Sequence, residues 1–366
     1  MYDTKLAFEY LEIIQSAYSI GDIFAMKSNT FIPEGYRKMD PKLAEKIDIT
    51  FSSYREYVPK HETFGTVIML SFYEGLVKKA ALPVFDKPVD FPVSGSLLTM
   101  ELNSSLCVPN KNNSASFMLF DIGLPIAFDV LSKITTTLMT LYDFPNITFD
   151  VENLEDKRKL HKIITENSFV NSQFVYLMCS CLFPTLFFNK PSHCYSTKKE
   201  VEFHAQISSL SSFFVFAHEY THYYLNHANS LERTILLNNV NIDIQKRDKI
   251  DEYAADYYSI ILMENFPAKI DMSTPSCIGI NQVFIFLHIM EGYKELLKIN
   301  SYFETHPSAT ERLEHIKNEI KRNKFSAQFD MMHNFVGFSL FILNEYNKEN
   351  VIEAICETIK RQEVGL

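Results

Sequence analysis

At 366 residues, with 46% hydrophobic and 22% charged residues, the chain has a globular composition and is long enough to bury one large core or two smaller ones. A formal charge of −10 argues against a backbone-binding nucleic-acid protein, which needs clustered Lys and Arg to neutralise phosphates. The cysteines, Cys107, Cys179, Cys181, Cys194, Cys277 and Cys356, form no C-x-x-C pair, which points to reduced thiols in a cytoplasmic protein and away from cysteine-held zinc.

Residues 1–95 read as an N-terminal helical region of unassigned role, with helix-compatible spacing over 2–18 and 41–48. The opening stretch MYDTKLAFEYLEIIQ is acidic and lacks both the basic n-region and the apolar h-region of a signal peptide, so secretion is not expected. Pro83, Pro88 and Pro92 place a boundary near 82–95. From Ser116 to Phe128 the pattern predicts a short buried strand and a Gly123-Leu124 turn, followed by a helix from Asp129 to Leu141 that ends before Pro145. The stretch Asn167–Asn189 carries no charge. Its apolar part, Phe174–Phe188, falls short of the ~20 residues that cross a bilayer, and Pro184 interrupts it, so a buried core helix is expected there. A protein anchored to a membrane through 167–189 is the rival reading.

Glu200–Asn229 contains neither Pro nor Gly and fits one or two helices. Asp248–Glu264 has Ile250, Tyr253, Ala254, Tyr257, Tyr258, Ile261 and Leu262 at helical spacing. Beyond a break at Pro275–Gly279 come an apolar helix over 281–298, a polar loop centred on His306-Pro307 and an amphipathic helix over 308–322. Terminal helices follow at about 331–345 and 349–361.

Within the first of these runs stands His218-Glu219-Tyr220-Thr221-His222, an H-E-x-x-H sequence. Histidines four residues apart share one helix face, so both can reach a single Zn²⁺ at ~2.0–2.1 Å. Glu219 lies beside that face, where it can take a proton from a water acidified by the metal. Phe213, Phe214, Val215 and Phe216 put the motif in the core, where two unpartnered histidines and a carboxylate would be costly to bury without a metal. A hydrolytic zinc needs a third protein ligand and an open fourth position. Spacing of four puts Glu252 and Asp256 on one face of the next strong helix. Glu252 can then complete the ligand set while Asp256 accepts the free N–H of a ligating histidine. A solvated acidic face made by Asp248, Asp251, Glu252 and Asp256 is the alternative that spacing alone leaves open.

Three elements, His218-Glu219-x-x-His222-x-x-x-x-His227, Glu252-x-x-x-Asp256 and Thr305-His306-Pro307-Ser308-Ala309-Thr310-Glu311-Arg312, together resemble the pattern of the gluzincin peptidases of the CAAX prenyl protease and HtpX type. They span 218–312, about a quarter of the chain. Less specifically, Phe120-Asp121-Ile122-Gly123-Leu124 is similar to the strand and turn that often precede the catalytic helix there. The resemblance implies one Zn²⁺ held by His218, His222 and Glu252, with Glu219 as general base and Asp256 as a neighbour of the ligands. It implies His306 as a donor that steadies the oxyanion and Arg312 as the partner of an active-site carboxylate. His227, one further turn along, would either accompany the site or stand as a satisfied core histidine.

The chain departs from that group in lacking the transmembrane helices of its membrane-bound members. It also places about 90 residues between Gly123-Leu124 and His218, and only residues 223–251 between His222 and Glu252. A soluble line such as the Lit-type phage-exclusion proteases or the ImmA-like regulatory proteases is therefore an alternative relative. The expected fold is mainly α (α+β), a zincin-like catalytic domain over 96–325 with its active-site helix, a small sheet and an insertion at 145–200. C-terminal helices are expected over 326–366. The expected function is a cytoplasmic zinc-dependent endopeptidase acting on a protein or peptide substrate, with no nucleic-acid or membrane partner. A zinc-containing sensor or binding module without proteolysis is the non-enzymatic rival. Glu219 tells against it, because a structural site has no use for a general base.

Overall fold

The computed structural model describes residues 3–18, 64–85, 91–97, 102, 104–109, 113–144, 149–183, 197–227, 230–237, 240–246, 248–267, 271–298, 307–321 and 326–363. The protein is mainly helical with a small sheet, and it divides into two compact units, each assembled from several chain segments.

The first unit takes Met1–Thr99, Asn103–Ile122 and Glu219–Arg247. Helix α1 (Thr4–Tyr18) carries Ala7, Phe8, Leu11 and Ile14 at helical spacing. That stripe is buried against Val93, Cys107, Phe117 and Leu119 of the sheet. Helix α2 (Phe64–Ala81) also packs on the first strand. The strands are β1 (Val93–Leu97), β2 (Ser104–Pro109), β3 (Phe117–Asp121), β4 (Ser230–Leu237) and β5 (Val240–Lys246), in the spatial order β1-β3-β2-β5-β4. β1 and β3 run parallel and the other neighbours antiparallel. At Gly95 a Cβ would lie 2.5 Å from Leu11 Cδ1, so any larger residue there would push the buried Leu11 side chain from its seat on β1.

The pair β4–β5 is a feature the sequence reading passed over. Its signal was present: Val240, Ile242 and Ile244 alternate with polar residues, and only Asn238-Asn239 separates the two runs. β5 pairs with β2 through Cys107–Pro109, which ties the segment between the H-E-x-x-H helix and Glu252 into the sheet.

The second unit takes Met100–Leu102, Gly123–His218 and Asp248–Leu366. Its helices are α3 (Gly123–Tyr142), α4 (Leu154–Glu166), α5 (Ser168–Leu182), α6 (Lys198–Tyr224, whose last residues from Glu219 onward fall in the first unit), α7 (Lys249–Glu264), α8 (Ser273–Leu296), α9 (Ala309–Ile320) and α10 (Ser326–Glu363). Around α8, the helices α5, α9 and α10 pack directly. Asp129 on α3 accepts hydrogen bonds from Lys133 and from His204 Nε2 of α6, the latter at 2.9 Å. Burial acts to raise the Asp129 carboxyl, but these two partners hold it down to about 2.

Several element boundaries differ from the sequence-based expectation for identifiable reasons. Gly123-Leu124 is the first turn of α3 and not a separate turn, with Pro125 close enough to the start that no helical N–H is lost. Within 145–200, the expected insertion, α4 and α5 are regular helices capped by Asn153 and Asn167, whose side chains accept from Glu155 and Val170 backbone N–H groups. The expected break at Pro275–Gly279 lies inside α8: Pro275 is its third residue, where a missing N–H costs nothing. The two terminal helices are one, because Asn347 is buried and donates to Leu343 O and Asn171 Oδ1 instead of capping a helix. Residues 41–48, Pro88 and residues 184–189 of the uncharged stretch lie outside the described residues.

Gly279 has a packing role. A Cβ there would stand 3.1 Å from Ser211 Oγ and 3.2 Å from Ser211 N, so α6 approaches α8 closely at this point. Gly279→Val should destabilise the protein by about 1–3 kcal/mol through overpacking. Thermal denaturation is the measurement, and an unchanged midpoint would show that the two helices part without cost.

Among the described residues one helix, Gly123–Tyr142, is long and apolar enough to cross a membrane, and 67% of its apolar window is buried within the protein, as in a core helix. α5, inside the uncharged stretch, is only 15 residues long, and Val170, Phe174, Leu177 and Met178 on it are buried.

Candidate metal centre

Helix α6 delivers the H-E-x-x-H motif. Upstream, Phe213 and Phe214 anchor it edge-on against Phe266 and Phe284, at 5.0 and 5.5 Å between ring centroids. Further along, Tyr220 stacks on Phe91 at 4.7 Å and Tyr224 on Phe85 at 3.8 Å. His218, Glu219, Tyr220, Thr221 and His222 are all buried. One ligand atom each from His218, His222 and Glu252 lies within 4.8 Å of the other two. These are the two imidazoles and the carboxylate singled out from the sequence, and their geometry is compatible with a single ion.

Around His218 the two imidazole nitrogens face different groups. Nε2 lies 3.3 Å from Glu252 Oε2, and Nδ1 lies 3.0 Å from Asp256 Oδ1. Asp256, fully buried, is also gripped by Arg312, with Nε to Oδ2 at 2.9 Å and Nη2 to Oδ1 at 2.6 Å. Arg312 Nη1 reaches Glu252 Oε2 at 3.5 Å, and the guanidinium lies 5.1 Å from the Phe284 ring centroid. Burial acts to raise the Asp256 carboxyl, but the Arg312 charge and its paired hydrogen bonds hold it below the usual carboxylate range.

Ser308 starts α9 with a capping box. Its hydroxyl accepts from Glu311 N, and Glu311 Oε2 accepts from Ser308 N at 2.9 Å. In the Ser308-x-x-Glu311-Arg312 element, serine and glutamate therefore set the helix start, and arginine, one residue on, reaches the carboxylates.

His227 is placed differently from the expectation of one further helical turn. α6 ends at Tyr224, and Asn226 adopts a left-handed conformation with φ 55°. The bonds Asn226 N to Tyr223 O and His227 N to His222 O form a Schellman turn. The chain folds back, and His227 Nδ1 comes 3.0 Å from His222 Nδ1, with both rings buried. One nitrogen donates and the other accepts; when His222 Nδ1 donates, its Nε2 keeps the lone pair a metal would take.

Ser104, at the start of β2, is a contact the sequence reading missed. Its hydroxyl donates to Glu219 Oε1 at 2.7 Å across 115 positions of sequence. Nothing in the local pattern around Ser104-Ser105 signals this. His306, the expected oxyanion donor, lies outside the described residues.

Without a metal, His218 holds its proton firmly. Burial and the Arg312 charge act to lower its pKa, but hydrogen bonds and charge from Asp256 and Glu252 prevail and raise it to about 9. A folded-state pKa above the unfolded value near 6.5 stabilises the fold fully below that pH, and the contribution is lost as pH rises through about 9. Chelator-treated protein should therefore lose stability between pH 6.5 and 9. A metal-loaded sample should lack this component, because a ligated imidazole nitrogen has no proton to release there. Melting curves across that range, with and without chelator, test this; parallel curves would contradict it.

No curated protein and no solved structure matches the chain. Residues 183–332 match the model of the family Peptidase U49, so the stretch that carries His218, Glu219, His222, Glu252, Asp256 and Arg312 is similar to a peptidase family.

Proposed function

We propose that the chain is a zinc-dependent endopeptidase that hydrolyses peptide bonds of a protein substrate. The observation that carries this reading is the convergence of His218 and His222 of α6 with Glu252 of α7 in the interior, with Glu219 beside the two histidines on α6. Two imidazoles and one carboxylate form a donor set typical of hydrolytic zinc. When bound, zinc supplies Lewis acidity, polarising the scissile carbonyl and lowering the pKa of water at the open position.

Glu219 takes a proton from the attacking water as the water oxygen bonds to the carbonyl carbon. It then passes that proton to the leaving nitrogen as the C–N bond breaks, so the products are a carboxylic acid and an amine, and the acid proton is then lost to the amine or to solvent. Asp256, held by Arg312, fixes the ring of His218 through Nδ1, and His227 does the same for His222. On the resemblance of the Thr305–Arg312 element, His306 would donate to the oxyanion.

The test is a proteome-wide comparison of new protein N-termini in cells expressing the wild type or Glu219→Gln, with zinc measured in both purified proteins. New termini should appear with the wild type alone, and both proteins should carry about one zinc, because the base is not a ligand. Identical terminus profiles would favour the sensor reading. Loss of zinc from Glu219→Gln would make Glu219 a ligand.

A further inference from the structure

Resting on the peptidase reading above, we infer that Ser104 is a positioning residue for Glu219: it holds Oε1 so that Oε2 is the oxygen that exchanges the proton. The contact is short and charge-assisted, at 2.7 Å from the Ser104 hydroxyl to Glu219 Oε1. It joins two elements that are each firmly fixed. Ser104 opens β2 and pairs with Phe120 of β3, while β2 is bound along its far end by β5 through Cys107–Pro109. Glu219 lies on α6, which the Tyr220–Phe91 stack fixes one residue away.

A glutamate carboxylate turns easily about its last torsion, which is broad and twofold, so its two oxygens interchange unless something distinguishes them. A general base that must abstract a proton and later deliver it gains from having one oxygen held and the other free. The balance of the step is unaltered by Ser104. The water proton goes to Oε2 and then to the leaving nitrogen, while Ser104 keeps its own proton throughout and donates to Oε1. Neither a local pattern in the sequence nor the H-E-x-x-H motif asks for a hydroxyl at this place. The sheet supplies it.

The experiment compares new N-termini in cells expressing, at matched levels, the wild type, Glu219→Gln, Ser104→Ala and Ser104→Thr, with zinc content measured on each purified protein. Ser104→Ala should cut the same sites about 10- to 100-fold less, in the range for residues that orient an active group, while keeping its zinc. Ser104→Thr retains the hydroxyl and should cut within about threefold of wild type, a rescue that a loss of packing would not give. Cleavage by Ser104→Ala within threefold of wild type, while Glu219→Gln is inactive, overturns the role of Ser104 and leaves the peptidase reading intact. The role is equally overturned if Ser104→Ala loses its zinc, or if Ser104→Thr is as impaired as Ser104→Ala. Profiles of wild type and Glu219→Gln that coincide would instead remove the peptidase reading, and this role with it.

Discussion

Glu252→Ala should weaken zinc binding by orders of magnitude, whereas Asp256→Ala should weaken it only about 10- to 100-fold. The difference follows from which nitrogen of His218 each carboxylate faces. Glu252 Oε2 lies 3.3 Å from Nε2 and Glu252 belongs to the group that could hold an ion, whereas Asp256 Oδ1 lies 3.0 Å from the other nitrogen, Nδ1, and Asp256 is held by Arg312. Removing Glu252 deletes a donor, while removing Asp256 leaves all three donors and frees one ring to turn. Competition titrations with a chromophoric chelator give both affinities. A larger loss for Asp256→Ala would place the third ligand one helical turn later.

Arg312→Leu should destabilise the protein by about 3–5 kcal/mol, the cost of breaking a buried ion pair from one side. Asp256 is fully buried, and both of its oxygens receive Arg312 N–H groups, so without the guanidinium a carboxylate would stay in the interior with His218 as its main remaining partner. Arg312→Lys should recover only part of the loss, since one ammonium cannot make the two-pronged contact. Replacing Asp256 and Arg312 together by apolar residues should cost less than Arg312→Leu alone, because no charge is then stranded. Chemical denaturation with chelator present isolates this term from metal binding. A loss below 1 kcal/mol would show that water reaches Asp256 once Arg312 is gone.

What the sequence determined by itself is what the helical repeat encodes locally. Four-residue spacing put His218 beside His222 and Glu252 beside Asp256, and the amphipathic pattern over 308–322 anticipated α9. The 3.6-residue pattern was likewise enough for a mainly helical chain, while the small sheet was expected from a few strand-like pieces and the zincin-like resemblance. Helix ends were less legible, because a breaker acts through its position. Pro275 in the first turn of α8 breaks nothing, Gly279 is there to let α6 approach, and Asn347 bonds to another helix.

Tertiary structure alone decided which distant groups meet. Arg312, expected from the resemblance to pair with an active-site carboxylate, reaches Asp256 across 56 positions, and Ser104, which nothing in the sequence singled out, reaches Glu219 across 115. A single left-handed residue, Asn226, turns His227 back onto His222. Local patterns record only which face of an element is apolar. The pairing of faces depends on how all the elements pack at once, and loop closure costs so little more for a long connection than for a short one that separation along the chain carries almost no information about contact.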